Sequence, residues 1–398
     1  MPILNGEEVI VGESYLVRGR RGCWRLATVL DKRRGEGESL ELYIHFDGDD
    51  RRLDHWLESD RLKFRIKGNK RLTTSCETRE KRIRKAKENS PSPANLDYSE
   101  VLEEQHKEVT KVKYIEVVRY GEYEMDTWYV SPYPDEYGKE RYLFICDKCF
   151  LYMRQERAFK MHLSSCSARH PPGREIYVDA SENIVVYEID GEKEKLFCQC
   201  LCLFAKLFMD HKTIYFDVTS FLFYVVCQFR ESGEARPVGY FSKERTSPDG
   251  NNLSCILVFP AFQRQGFGSF LIQLSYELSR RQGIQGSPEK PLSDLGLASF
   301  RHYWAYIIVD YLSGFMDTSW IKVSELAKTL GMQSEDVVDT LQWLQLCEPK
   351  MVSEELPPDQ ELWVHVYIKH LESLRKLAAR PPRLMLNARL LHWRPGDV

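Results

Sequence analysis

The sequence predicts a mixed α+β protein with a small all-β module ahead of it, and three observations predict that class. Short period-two segments crowd residues 8–62 of the 398-residue chain; strand-like runs dominate residues 111–262; and two long helical patterns follow. Hydrophobic residues at 43%, aromatic at 12% and charged at 29% give the balance of a folded chain and exclude collagen-like or low-complexity architecture over most of its length. At about 150 residues per domain, two or three domains are expected. No run approaches the roughly 18 apolar residues of a membrane span, and MPILNGEEVIVG lacks a basic segment followed by an apolar one. The expectation is therefore a protein that is neither secreted nor membrane-bound.

In the N-terminal module, strands are expected at Glu8 to Val11, Ser14 to Arg18, Trp24 to Asp31, Leu40 to Phe46 and Asp54 to Leu57, forming a strongly bent barrel. Tyr15, Trp24, Tyr43, Phe46 and Trp56 either line an aromatic cage for a methylated lysine or fill the barrel core. The net charge of −3 gives the whole chain no bias toward nucleic acid, but residues 63–87 carry eleven Lys/Arg against two Glu. This run leads into NSPSPAN, which has linker composition, and it suits nuclear import or salt-dependent phosphate contact.

Beyond it, KVKYIEVVRYGEYEM, EIYVDASENIVVYEIDG, FLFYVVCQF, PVGYFSKE and LSCILVF read as strands, with a helical insert at LFCQCLCLFAKLFM. Helices are expected from Gly266 to Gln282 and from Leu295 to Leu312. Val323 to Leu346 reads as a helix-turn-helix around Gly331, with LWVHVYI as a wing strand. Its second helix, SEDVVDTLQWLQL, has no Lys or Arg, which disfavours contact with a DNA groove and favours a structural flank.

Eleven cysteines are present, four of them (Cys146, Cys149, Cys200, Cys202) in close pairs, a pattern of metal ligands or plain thiols in a reducing compartment. Cys146, Cys149, His162 and Cys166 have the spacing C-x2-C-x12-H-x3-C, in which a knuckle and one helical turn supply four ligands to Zn2+. With no position left for water, this one zinc is expected to be structural. Cys198, Cys200 and Cys202 alternate along a helix and so do not all share a face, which disfavours a second metal; they are expected as core thiols.

An apolar strand runs through QRQGFG, Gln263 to Gly268, directly into a helix, an arrangement whose backbone N–H groups and helix dipole suit a pyrophosphate. DHKTIYFDV, VGYFSKE, SPDGNN, SCIL, QRQGFG, SPEKPLSDLGL and the Cys/His spacing together resemble the MYST family of histone acetyltransferases over residues 110–395. SPDGNN and SPEKPLSDLG are most similar to its males-absent-on-the-first branch, and YIHFDGDDRRLDHWLESDRL resembles the chromo-barrel of the same proteins.

The resemblance implies a GNAT-like acetyl-CoA-binding core with a C2HC zinc finger and a helix-turn-helix flank, preceded by the chromo-barrel. It implies a division into a barrel at 1–66, a basic linker at 67–108 and a transferase domain at 109–398, with the finger at 140–170, the core at 171–315 and the flank at 316–398. Ile256, Leu257 and Val258 on the splayed strand, Arg264, Gln265, Gly266, Phe267, Gly268 and Ser269 in the loop, and Ser293 and His302 beyond it would hold acetyl-CoA. The family usually has Lys where this chain has Ser269, and Ser where it has His302.

An acceptor lysine, with an ordinary pKa near 10.4, needs a base before it can attack a thioester. Glu289, in a Gly/Ser/Pro-framed loop, matches the family's catalytic glutamate, and partial burial is expected to raise its pKa. Cys255 matches the family cysteine beside the acetyl group, with direct transfer favoured over an acyl-enzyme, and Lys212 matches its autoacetylated lysine. The implied function is acetylation of histone-tail lysines, of histone four, by a nuclear chromatin enzyme. Expected partners are nucleosomes, RNA or DNA through the barrel and basic linker, and scaffold subunits of a chromatin complex. The rival is a chromatin-binding module of the same family with weakened catalysis, suggested by Ser269 and His302.

Overall fold

The computed structural model describes residues 9–19, 23–35, 39–65, 112–210, 212, 214–314, 319–346, 363–366 and 380–396. The linker expected at 67–108 and most of the basic run therefore lie outside the described residues. The chain divides into two compact units, Met1–Glu116 with Thr127–Ser131, and Val117–Asp126 with Pro132–Val398. None of the described helices is long and apolar enough to cross a membrane.

In the first unit, β1 (Ser14–Arg18), β2 (Trp24–Arg34), β3 (Leu40–Phe46), β4 (His55–Glu58) and β5 (Leu62–Arg65) form one antiparallel sheet in the order β4-β3-β2-β1-β5. The register shifts between Val29 and Asp31 of β2 and between Leu16 and Val17 of β1 bend it. Alternation then turns Val17, Ala27, Val29, Leu42 and Ile44 into one core, each fully buried. Of the strand expected at Glu8 to Val11, Glu8 lies outside the described residues and Val9 to Val11 are not in a strand. Val9 enters this core, but residues 9–13 form a turn whose Gly12 N–H donates to Val29 O, and the fifth strand is β5, inside what composition marked as the start of the basic run.

The second unit begins with β6 (Val117–Tyr120), β7 (Tyr123–Asp126), the short α1 (Asp135–Gly138), β8 (Tyr142–Ile145) and β9 (Tyr152–Met153), followed by α2 (Glu156–Ser165). Its main sheet is antiparallel, built from β10 (Arg174–Asp179), β11 (Ile184–Asp190), β12 (Phe221–Phe229) and β13 (Ala235–Glu244), with α3 (Lys195–Lys206) between β11 and β12. Next come β14 (Asn251–Leu253) and β15 (Cys255–Val258), then α4 (Phe267–Gln282), β16 (Ser287–Pro288) and α5 (Asp294–Leu312). β15 completes the main sheet beside β13, whereas β14 pairs in parallel with β16. After β17 (Ser319–Lys322), α6 (Val323–Leu330) and α7 (Ser334–Trp343) meet across Gly331 at φ 68°, and β18 (Trp363–Val366) pairs with β17. This is the expected helix-turn-helix with its strand.

Burial explains how these pieces cohere. α3 is buried nearly all round from Phe197 to Lys206, so Cys198, Cys200 and Cys202 are covered although they face different directions, as core thiols are. Phe204 is surrounded by Tyr120 at 5.1 Å, Phe259 at 5.0 Å and Phe208 at 5.5 Å between ring centroids, while Tyr120 donates to Pro237 O at 2.9 Å. Phe204→Ala should therefore cost about 3–5 kcal/mol of stability in urea unfolding, against within about 0.5 kcal/mol for Phe216→Ala at an exposed position. Equal effects from the two would disprove this view of the core.

Candidate functional site

The finger is built by local geometry. Cys146 directly follows β8, its N–H donates to Leu151 O, and Phe150 takes a left-handed φ of 60°, closing the knuckle that aims Cys146 and Cys149 together. α2 carries His162 in its last turn, and Cys166 caps that helix through an N–H bond to His162 O at 2.7 Å. The four ligand atoms lie within 4.8 Å of one another, with Cys149 Sγ to His162 Nε2 at 3.4 Å and Cys146 Sγ to Cys166 Sγ at 3.9 Å. A tetrahedral zinc with bonds of about 2.0–2.3 Å has edges of roughly 3.4–3.8 Å, so the donor set fits one structural Zn2+. Among the described residues no other group of this kind gathers. Behind the knuckle, buried Asp147 pairs with Arg230, and Lys148 pairs with Glu234 at 2.8 Å, fastening it to the β12–β13 hairpin.

The Gly-rich loop stands where strand meets helix. β15 pairs with β13 through Cys255↔Ser242, Ile256↔Phe241, Leu257↔Tyr240 and Val258↔Gly239. On its other side the neighbour β16 pairs only with Asn251–Leu253, so the two chains diverge just before β15 begins. Arg264 and Gly266 take positive φ of 62° and 101°, and α4 starts with no side-chain cap. Its ladder begins at Phe270 N–H to Gly266 O, leaving the N–H groups of Phe267, Gly268 and Ser269 at an uncapped helix start. The Phe267 side chain is buried, so its backbone alone is offered; Gln265 is half-buried and Arg264 exposed. Ser269 Oγ is buried without a partner. Ser293 caps α5 by accepting from Gly296 N–H at 3.1 Å, and His302 lies half-buried on that helix.

A clamp on this loop carried no sequence signal. Residues 380–396 return along α4: Gln273 Nε2 donates to Leu384 O at 2.8 Å, Arg383 donates to Arg264 O at 3.2 Å, and Arg281 donates to the carbonyls of Ala388, Leu391 and Trp393. A Cβ on Gly266 would stand 2.9 Å from Leu384 Cγ, so the loop and the strap are fitted to each other. Each bond joins residues more than a hundred positions apart, and no local pattern announces it.

Lys212 is 4% exposed, with Nζ 3.8 Å from Cys255 Sγ. Burial works against its ammonium, but Tyr240, Cys255 and Cys202 beside it outweigh that and hold its pKa above the ordinary lysine value. Burial pushes the Tyr240 phenol and the Cys202 thiol upward, so both are neutral at physiological pH. The Tyr240 hydroxyl is buried beside Lys212. Glu289 follows β16, and its N–H donates to Leu253 O at 2.9 Å, which places it and Cys255 just past the point where the two strands part. The expected partial burial of Glu289 is not seen. Ser287 and Pro288 occupy the covered positions of the turn and leave the Glu289 side chain exposed.

In the barrel, the expected cage residues are mostly core. Tyr15, Tyr43 and Phe46 are at most 5% exposed. Trp56 does present a face, but the Arg33 guanidinium sits 4.0 Å from its ring centroid, held by Glu41 and Glu116 at 2.8 Å each, with Tyr43 and Tyr114 alongside. The position a methylated lysine would take on Trp56 is filled by the chain's own cation.

Comparison with known proteins agrees with this geometry. Residues 170–381 match the MOZ/SAS family, residues 112–166 the MYST family zinc finger domain, and residues 9–64 the Tudor-knot, described as the RNA binding activity-knot of a chromodomain. The chain is 49% identical over 245 residues to the Drosophila melanogaster histone acetyltransferase MOF, a match covering 62% of this chain and 29% of that protein. It is 39% identical over 348 residues to the Arabidopsis thaliana histone acetyltransferase of the MYST family 2, covering 85% and 77%. It is also 34% identical over 412 residues to the Caenorhabditis elegans histone acetyltransferase Tip60 homolog, covering 94% and 88%. With a knuckle that fits zinc, a strand open along one edge and these matches along its length, the chain belongs to the MOZ/SAS (MYST) family of histone acetyltransferases.

Proposed function

We propose that the chain transfers acetyl from acetyl-CoA directly to the ε-amino group of histone-tail lysines, those of histone four, in nuclear chromatin. The domain division is the one given above: barrel at 1–66, basic linker at 67–108 and transferase at 109–398. The observation that supports this reading is the one-sided pairing of β15, with buried Lys212 against Cys255 and with Glu289 one residue beyond the neighbouring strand.

In this reading, the open edge of Ile256–Val258 and the uncapped N–H groups of Phe267–Ser269 receive the pantetheine arm and the pyrophosphate. The Glu289 carboxylate takes the proton from the acceptor ammonium. The free amine then attacks the thioester carbonyl carbon, the C–S bond breaks, and the coenzyme A thiolate leaves with the proton that the nitrogen sheds as the amide forms, while the proton on Glu289 passes to solvent. Cys255 shapes the wall beside the acetyl group and forms no bond. Acetylation of Lys212 converts a buried ammonium into a neutral amide, which removes the cost of burying its charge.

With labelled acetyl-CoA and nucleosomes, Glu289→Gln should lower kcat by about a hundredfold or more while acetyl-CoA binding persists. Unchanged kcat would remove Glu289 as the base, and no transfer by the wild type would favour the chromatin-binding rival. For the finger, purified protein should carry about one zinc per chain, and Cys149→Ser should release it and loosen the knuckle; full folding and zinc content in the variant would refute the four-ligand site. The barrel and basic linker are proposed to contact RNA, and scaffold subunits of a chromatin-modifying complex to be further partners. Full-chain affinity for single-stranded RNA should fall roughly fifty-fold between 50 and 200 mM salt if about four phosphates are neutralised. A flat salt profile would contradict that contact.

A further inference from the structure

Glu289 also lines a cleft whose other residues the mechanism above does not use. Its walls are the end of β13 with Glu244, the turn before β14 with Asp249, β16 with Ser287, the loop with Glu289 and Lys290, and the first turn of α7 with Glu335. Four carboxylates thus meet a single cation. That cation is already engaged, because Lys290 Nζ lies 3.1 Å from Asp336 Oδ1, a carboxylate whose side chain is 2% exposed. Among the described residues, none of the four carboxylates takes part in a salt bridge.

Ser287 supplies an independent observation. It is 3% exposed, it lines the cleft, and its Oγ has no hydrogen-bond partner. An unpaired buried hydroxyl is costly unless something arrives to pair with it. The walls themselves are held by bonds within the chain: Gln333 Nε2 donates to Asp249 O at 3.4 Å, Gln333 N–H donates to Gly286 O at 3.3 Å, and Asn251 N–H donates to Ser247 Oγ at 3.0 Å. The site is therefore formed before any ligand enters.

We propose that this cleft is a subsite for an arginine side chain flanking the acceptor lysine. The proposal rests on the acetyltransferase reading with Glu289 as base, since that residue lies at once at the acceptor and on the cleft wall. Negative potential favours a cationic side chain, and a guanidinium suits the donor count better than an ammonium. Its five N–H groups, held in a planar fork, can reach the Ser287 hydroxyl and two carboxylates together. In an extended peptide the residue two positions from the acceptor points to the same face, about 6.6 Å along the chain, so one substrate can occupy both places.

The test uses the full chain and short peptides with one lysine and, two residues away on both sides, arginine or citrulline, which keeps the shape and removes the charge. The wild type should show kcat/KM about tenfold higher for the arginine peptide, with the difference in KM. In the double variant Asp249→Asn with Glu335→Gln that ratio should collapse toward one. Because both peptides are compared on the same preparation, partial misfolding cancels from the ratio. A wild-type ratio near one, or a tenfold ratio surviving in the double variant, would overturn the subsite. Absence of transfer to either peptide and to nucleosomes would instead overturn the acetyltransferase reading, and the subsite with it.

Discussion

β15 is hydrogen-bonded along one edge and open along the other, and the site depends on that asymmetry. β13 holds it from Gly239 to Ser242, whereas β16 touches the preceding segment only at Asn251–Leu253 and then departs. An interior strand edge with unsatisfied N–H and C=O groups is expensive unless covered or used. Here the opening lies between the strand that carries Cys255 and the loop that carries Glu289, and α4 begins just beyond it. A donor with its own amides and phosphates is the kind of molecule that would satisfy both edge and helix start.

That opening is held in place by distant parts of the chain. The strap at residues 380–396 bonds α4 through Gln273 and Arg281, and its Trp393 donates to the buried Glu188 on β11 at 2.5 Å. Glu188 also pairs with Arg174 at 2.9 Å, so this carboxylate, 5% exposed, has partners on both oxygens. Buried polar groups satisfied in this way specify one arrangement, because any slip leaves one of them unpaired. The result is a loop whose positive-φ residues are fixed by neighbours rather than by their own preference.

Much of this was legible in the sequence, where the signal is short-range. The finger follows from four spaced ligands, α4 from a Gly turn before an amphipathic run, and the helix-turn-helix from Gly331 between two periodic segments. Where the expectation failed, a competing packing demand decided. Val9 joined the barrel core from a turn instead of a strand, and β5 was hidden by its Lys and Arg. Glu289 remained exposed because Ser287 and Pro288 took the covered positions beside it.

The sequence by itself determined the residue types and local spacings: which thiols and histidine can share a metal, where a helix can start without a cap, and which Lys, Cys and Glu stand in matching motifs. Only the tertiary structure decided that Lys212 is buried against Cys255, that the strap seals the loop, and that four carboxylates gather around an unpaired Ser287. Ligand spacing and helix capping act over a few residues and leave a local trace. Strand divergence, burial and charge clustering join residues far apart in the chain, and they exist only once the sheet has closed around them.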